Sequence, residues 1–187
     1  MKQLLSFWYI WAFIGLVLLY EVFRPLIKGR LGIKPVATLL SKLDPSKYEV
    51  INNMMINVNG QTTQIDHVVI SNYGIFVIET KNNTGRIFGN EFQEYWTQTT
   101  HKNKVNIANP VRENYRHIQA LRETTGKYPA LKYFSIIVFT RKPYLNVIVK
   151  SAEVIHMIDL LDTIKQHSHR IVSNERRNEV YKLLSLA

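Results

Sequence analysis

The chain is 187 residues long, with 46% hydrophobic and 20% charged residues, which gives room for one domain with an appendage and excludes a wholly disordered chain. It contains no cysteine, so disulfides, thiolate zinc sites, CxxC redox chemistry and cysteine nucleophiles are excluded. Lys and Arg total 24 against 14 Asp and Glu, a net charge of +10 that favours a polyanionic partner such as nucleic acid or acidic lipid; no glycine-rich phosphate loop of the P-loop or Rossmann type is present.

Half of that excess sits in the first quarter of the chain. Up to residue 47 there are the cations Lys2, Arg24, Lys28, Arg30, Lys34, Lys42 and Lys47 and only two anions, Glu21 and Asp44. Leu4 to Tyr20 is apolar or aromatic except for Ser6 and Gly15, and extension to Phe23 gives a run of about 20 residues, roughly 30 Å as a helix. The run is too long and too rich in Trp and Tyr for a cleavable signal peptide, and it has no small-residue exit site. Residues 1–23 are therefore expected to form a single membrane-spanning anchor and 24–32 a basic linker. The cations following the span place its C-terminal side in the cytoplasm and could also meet acidic lipid headgroups.

Residues 33–187 read as one α/β domain. Val36, Leu39, Leu40 and Leu43 recur at helical spacing, Pro35 is tolerated in the first turn, and Asp44-Pro45 stops the helix. Tyr48 to Val58 reads as a strand, with Asn59-Gly60 as a hairpin turn. Gln64 to Ser71 and Ile75 to Lys81 follow as strands apolar on both faces, suited to the middle of a covered sheet. A short strand is expected at Tyr95 to Thr99. Asn109-Pro110 opens a helix, Asn as cap and Pro in the first position, with Val111, Tyr115, Ile118 and Leu121 as its buried stripe and Gly126 at its end. Tyr133 to Thr140 reads as a buried strand, and Ile158 to His167 and Glu175 to Leu184 as helices. The order is α-β-β-β-α-β followed by helices.

Chemistry is concentrated on the second and third strands. Asp66 interrupts an otherwise apolar strand, and Glu79 and Lys81, two residues apart, share one face of the next. A two-residue loop of Tyr73-Gly74 would set Asp66 opposite Lys81, with Asp66 and Glu79 as diagonal neighbours; a three-residue loop would put Asp66 on the other face. Two carboxylates with the Thr80 carbonyl offer hard oxygen ligands suited to Mg²⁺ or Mn²⁺, and Lys81 could orient a water or offset charge on a pentavalent phosphorus. A structural Asp–Lys ion pair at a sheet end is the alternative.

The blocks Gln64-Ile65-Asp66-His67-Val68-Val69-Ile70, then Gly74-Ile75-Phe76-Val77-Ile78-Glu79-Thr80-Lys81-Asn82, then Gly85, Trp96 and Asn109-Pro110-Val111-Arg112-Glu113-Asn114 with His117, resemble the NERD (nuclease-related) domain over roughly Gly29 to Leu121. The resemblance implies a fold like that of the PD-(D/E)XK nucleases, an α-β-β-β-α-β mixed sheet flanked by helices, here preceded by the transmembrane helix. It further implies Asp66 as the motif acid, Glu79 and Lys81 as the E-x-K pair, a divalent metal between them, and hydrolysis of phosphodiesters in DNA. A membrane-spanning helix beside the domain is also usual for the family.

Two positions depart from the family pattern. Its first helix usually opens Gly-x-x-Gly-Glu, and here Gly29-Arg30-Leu31-Gly32-Ile33 puts Ile33 where that acid would stand; the later helix usually has Gln at the position of Glu113. Two readings follow: a membrane-anchored, metal-dependent nuclease with its domain in the cytoplasm, or a non-catalytic module that tethers nucleic acid or a protein partner to the membrane. A third confines binding to acidic lipid through the linker. Arg112 and Arg116 could touch phosphates, or belong to a solvated helix face. Trp96 is expected in the core rather than stacked on a base, His67 is expected as a packed core histidine, and His167 and His169 as an exposed helix end.

Overall fold

The computed structural model describes residues 11–16, 33–58 and 60–186. Residues 11–16 are helical and carry Trp11, Phe13, Ile14 and Leu16 exposed. The rest of the anchor expected over 1–23, and the linker expected over 24–32, lie outside the described residues. Among the described residues no helix is long and apolar enough to cross a membrane.

The domain opens with helix α1 (33–40), whose Val36 and Leu40 are fully buried. Asp44 then accepts hydrogen bonds from the Ser46 backbone N–H and hydroxyl and turns the chain. Three antiparallel strands follow, β1 (Tyr48–Val58), β2 (Gln61–Ser71) and β3 (Gly74–Lys81). A three-stranded excursion comes next, β4 (Arg86–Asn90), β5 (Tyr95–Thr99) and β6 (Lys104–Ala108), and then helix α2 (Pro110–Thr124). Strands β7 (Tyr133–Phe139), β8 (Tyr144–Ile148) and β9 (Glu153–His156) precede helices α3 (Leu160–Gln166) and α4 (Asn174–Ser185). One sheet has the order β1-β2-β3-β7-β9, with β3, β7 and β9 parallel; the second has the order β6-β5-β4-β8.

The main sheet is covered on both faces, which is why β3 and β7 are apolar on both. Val68, Ile70, Ile75 and Val77 pack with Ile118 and Leu121 of α2 and Val180 and Leu184 of α4. On the other face Val69, Phe76 and Ile78 pack with Val36 and Leu40 of α1 and Leu160 and Ile164 of α3. A third cluster, Ile87, Trp96, Val111, Ile137 and Phe139, joins the second sheet to the α2 side of β7.

The β2–β3 turn departs from its expected position. Ser71 pairs with Gly74, so Asn72-Tyr73 is the two-residue loop rather than Tyr73-Gly74. The cause is local. Asn72 is buried, with its amide donating to the Val172 carbonyl and Asn174 Oδ1 while its own carbonyl accepts from the Ile171 and Val172 N–H groups. Buried Arg177 adds Nη1 bonds to the Ser46 carbonyl at 2.5 Å and to Asn72 Oδ1 at 3.3 Å. Gly74 then begins β3 at φ +137°, where a Cβ would strike the Phe134 ring and the Lys132 carbonyl. The register moves by two residues, so face assignments survive and opposing partners change.

Gly89 of β4 lies against the Trp96 indole, whose Nε1 donates to the Asn90 carbonyl at 2.8 Å; a Cβ at residue 89 would run into the ring. Trp96 is fully buried, a core residue as expected. Gly89→Ala is expected to lower unfolding free energy by about 2–3 kcal/mol through overpacking, read by denaturant titration of tryptophan fluorescence. An unchanged midpoint would show that the indole moves aside freely.

Three further sequence expectations are refined. Tyr115 is 60% exposed, and the buried stripe of α2 runs through Val111, Asn114, His117, Ile118 and Leu121 instead, because two inward positions are polar: Asn114 bonds to the sheet and His117 faces Glu79. The α2 cap stands: Asn109 Oδ1 accepts from the Val111 N–H, and the helix ends one residue before Thr125. His167 is half-buried with its ring 4.0 Å from that of Phe134, so only His169 is an exposed histidine there.

Candidate active site

Asp66 lies one residue before the last paired position of β2, His67 opposite Ile78, so continuation of the register sets it across from Glu79. Glu79 and Lys81 alternate along β3 on the face that carries Val77, toward α2. On β7 the residues beside them are Ile137 and Phe139, so the polar group sits between two hydrophobic clusters on the α2 face. Helix α2 is held over this point by Asn114, which is fully buried and donates to the Val77 carbonyl and Ser135 Oγ, each at 2.8 Å. Its N-terminus is fixed by Asn109 Nδ2, which donates to the Gln93 carbonyl at 2.6 Å and the Asn90 carbonyl at 3.0 Å. The chain leaving Lys81 is fixed as well, because the Thr140 N–H donates to the Lys81 carbonyl and Asn82 Oδ1 accepts from Thr140 Oγ1 and Arg141 Nε.

Four titratable groups and one lysine result. Asp66 Oδ2 accepts from the Thr80 N–H at 2.8 Å. Glu79, 8% exposed, has Oε1 2.8 Å from Lys81 Nζ. Lys81 Nζ is also 2.5 Å from Glu113 Oε2, contributed by the first turn of α2. His117, one turn further along α2, has Nδ1 3.5 Å from Glu79 Oε2 but makes no hydrogen bond there. Of the residues expected from the sequence, Asp66, Glu79 and Lys81 lie on one face, and Thr80 meets Asp66 through its backbone N–H. The sequence reading did not assign Glu113 or His117 to the site. The signal was present: with Asn109 as cap, positions 113 and 117 are one turn apart and flank the inward stripe at Asn114 and Ile118.

Electrostatics separates the groups. Burial, then repulsion from Glu79, pushes the Asp66 carboxyl up to about 6, against the opposing pull of the Thr80 N–H bond and Lys81. Burial depresses Lys81, but Glu79 and Glu113 outweigh it and the ammonium is held above its usual range. Burial lowers His117 more than Glu79 and Glu113 raise it, which favours the neutral ring. Three carboxylates therefore face one firm cation.

The donor chemistry fits a small, hard divalent cation: two opposed carboxylates, one of them raised by burial and then by the other's charge, carry negative charge that such an ion would offset. Among the described residues no three His, Asp or Glu side chains converge as ligands on one point, so water would complete any coordination by Asp66 and Glu79. Arg112 and Arg116 lie exposed on α2, displaced around the helix from Glu113 and His117. His67 points away from the site, fully buried, with Nδ1 2.6 Å from Asn52 Oδ1 and its ionisation pushed down to about 4 by burial.

A family model described as the nuclease-related domain, NERD, matches residues 28–140, and the chain belongs to that family. The match runs from before α1 to the end of β7 and includes every residue of the site. The chain is 37% identical over 161 residues to an uncharacterized protein of Bacillus anthracis, across 84% of this chain and 75% of the relative. No solved structure matches it.

Proposed function

We propose that the chain is a divalent-metal-dependent phosphodiester hydrolase acting on DNA, anchored in the cell membrane by its N-terminal segment with the catalytic domain in the cytoplasm. The observation that carries this reading is the gathering of Asp66, from the middle of β2, with Glu79 and Lys81, from the end of β3, on one face and under α2, in a chain of the nuclease-related family. Asp66 and Glu79, with the Thr80 carbonyl, would hold Mg²⁺ or Mn²⁺. Bound there, the ion would supply a water of lowered pKa and neutralise a phosphate oxygen. Lys81, as an ammonium, would stabilise charge gathering on the phosphorus. Arg112 and Arg116 would take flanking phosphates in a sequence-independent, salt-sensitive manner. The exposed Trp11, Phe13 and Leu16 and the cations after Phe23 support an anchor whose linker meets acidic headgroups.

The test is plasmid nicking by the full chain in detergent with Mg²⁺ or Mn²⁺. Cleavage stopped by EDTA and lowered at least 100-fold in both Asp66→Ala and Glu79→Ala is expected, with the circular dichroism spectrum unchanged. Cleavage that survives both substitutions overturns the assignment.

Two observations favour a second reading, a nuclease-fold module that binds nucleic acid or a protein partner at the membrane without cutting. Ile33 stands where the family's first helix usually has Glu, and the Lys81 ammonium already lies against both Glu79 and Glu113. That reading predicts salt-dependent DNA binding indifferent to EDTA and to Glu79→Ala.

A further inference from the structure

Lys81 has a long, flexible stem, and fixing it costs up to about 2 kcal/mol of rotamer entropy. A single carboxylate two residues back on the same strand does not define where its ammonium sits. A second carboxylate from another element does. Lys81 Nζ lies 2.8 Å from Glu79 Oε1 on β3 and 2.5 Å from Glu113 Oε2 on α2. Glu113 is itself held, because α2 is bolted to β3 and β7 by Asn114 and to the β4–β5 connection by Asn109. Its backbone N–H is committed to the Asn109 carbonyl. These are charge-assisted contacts between partly buried groups, with side chains 11–25% exposed, where geometry is better defined than on a free surface.

We infer that Glu113 is a positioning residue: it pins the Lys81 ammonium at one point beside Glu79, and it supplies the third carboxylate of the site from α2. A neutral amide at 113 would keep one hydrogen-bond acceptor but lose the charge that holds the ammonium. The inference rests on the proposed hydrolysis only for its consequence in catalysis, and the test separates the two.

The experiment uses the full chain in detergent with ¹⁵N-lysine labelling. A salt-bridged ammonium exchanges its protons slowly enough to give a ¹H–¹⁵N signal, assigned to Lys81 by its loss in Lys81→Arg. The expected result is a Lys81 signal in the wild type that disappears in the isosteric Glu113→Gln and returns in Glu113→Asp. In nicking assays Glu113→Gln is expected to lower kcat at least tenfold with KM for plasmid DNA within twofold and an unchanged melting temperature, and Glu113→Asp to recover part of the loss. A Lys81 signal as strong in Glu113→Gln as in the wild type overturns the inference, whatever the cleavage. If the wild type does not cut, the hydrolase reading falls by itself and the ammonium signal still decides whether Glu113 holds Lys81.

Discussion

Asp66→Asn is expected to make the metal-free fold more stable above pH 6.5, by about 1–3 kcal/mol, while removing cleavage. The sign follows from the direction of the shift. In the folded chain burial and Glu79 hold the Asp66 proton up to about 6, whereas an unfolded chain releases it near 3.8. Between those values the folded state carries more protons, so stability falls as pH rises, and above pH 6 the whole penalty is present. An amide removes that penalty and keeps an acceptor for the Thr80 N–H. The gain should vanish below about pH 4, where Asp66 is protonated in both states. Urea titrations in EDTA at pH 8 and pH 4 check it. A loss of stability at pH 8 would show that the charged Asp66 is held by favourable contacts, not tolerated at the expense of the fold.

Lys81→Met should act in the opposite direction, lowering stability by about 2–3 kcal/mol at pH 7.5, because it leaves Glu79 and Glu113 facing each other without the cation between them. The double variant Lys81→Met/Glu113→Gln should recover part of that loss, since one of the two stranded charges is then gone. The resulting double-mutant cycle measures the Lys81–Glu113 coupling, expected at about 1–2 kcal/mol. Additivity of the two single effects would mean that the short contact carries no net energy. Together these two variants describe a site with more negative charge than its own lysine balances, which is the physical basis of the metal proposal.

Much of this arrangement was legible in the sequence where burial dictates residue type. β1 and α2 start at the residues that turn and cap chemistry marks, Tyr48 and Pro110, and β5 spans the expected Tyr95–Thr99. The doubly apolar β3 and β7 lie in the middle of the main sheet for the reason their composition suggests. The second sheet was not legible beyond β5. Arg-Ile-Phe-Gly-Asn of β4, with Gly89, and the largely exposed Lys-Val-Asn-Ile-Ala of β6 have weak strand character, and β4 acquires its second partner, β8, from more than fifty residues later in the chain. The β2–β3 register was displaced by two because Asn72 owes its place in the turn to contacts from Val172, Asn174 and Arg177, a hundred residues away. Even so, an even displacement keeps Asp66 on the face of Glu79 and Lys81. Glu113 was visible in its spacing from the Asn109 cap, one turn before His117, and as a departure from a family pattern. Its role needs the depth at which Asn114 seats α2, which no local spacing encodes.

The most direct measurement is a calorimetric titration of the full chain in detergent with Mn²⁺, wild type against Glu79→Gln, with plasmid nicking followed in the same samples. The account predicts that the wild type binds Mn²⁺ and nicks, and that both are lost together in Glu79→Gln. Folded wild type that takes up no Mn²⁺, or a Glu79→Gln chain that binds and cuts as well as the wild type, would contradict it.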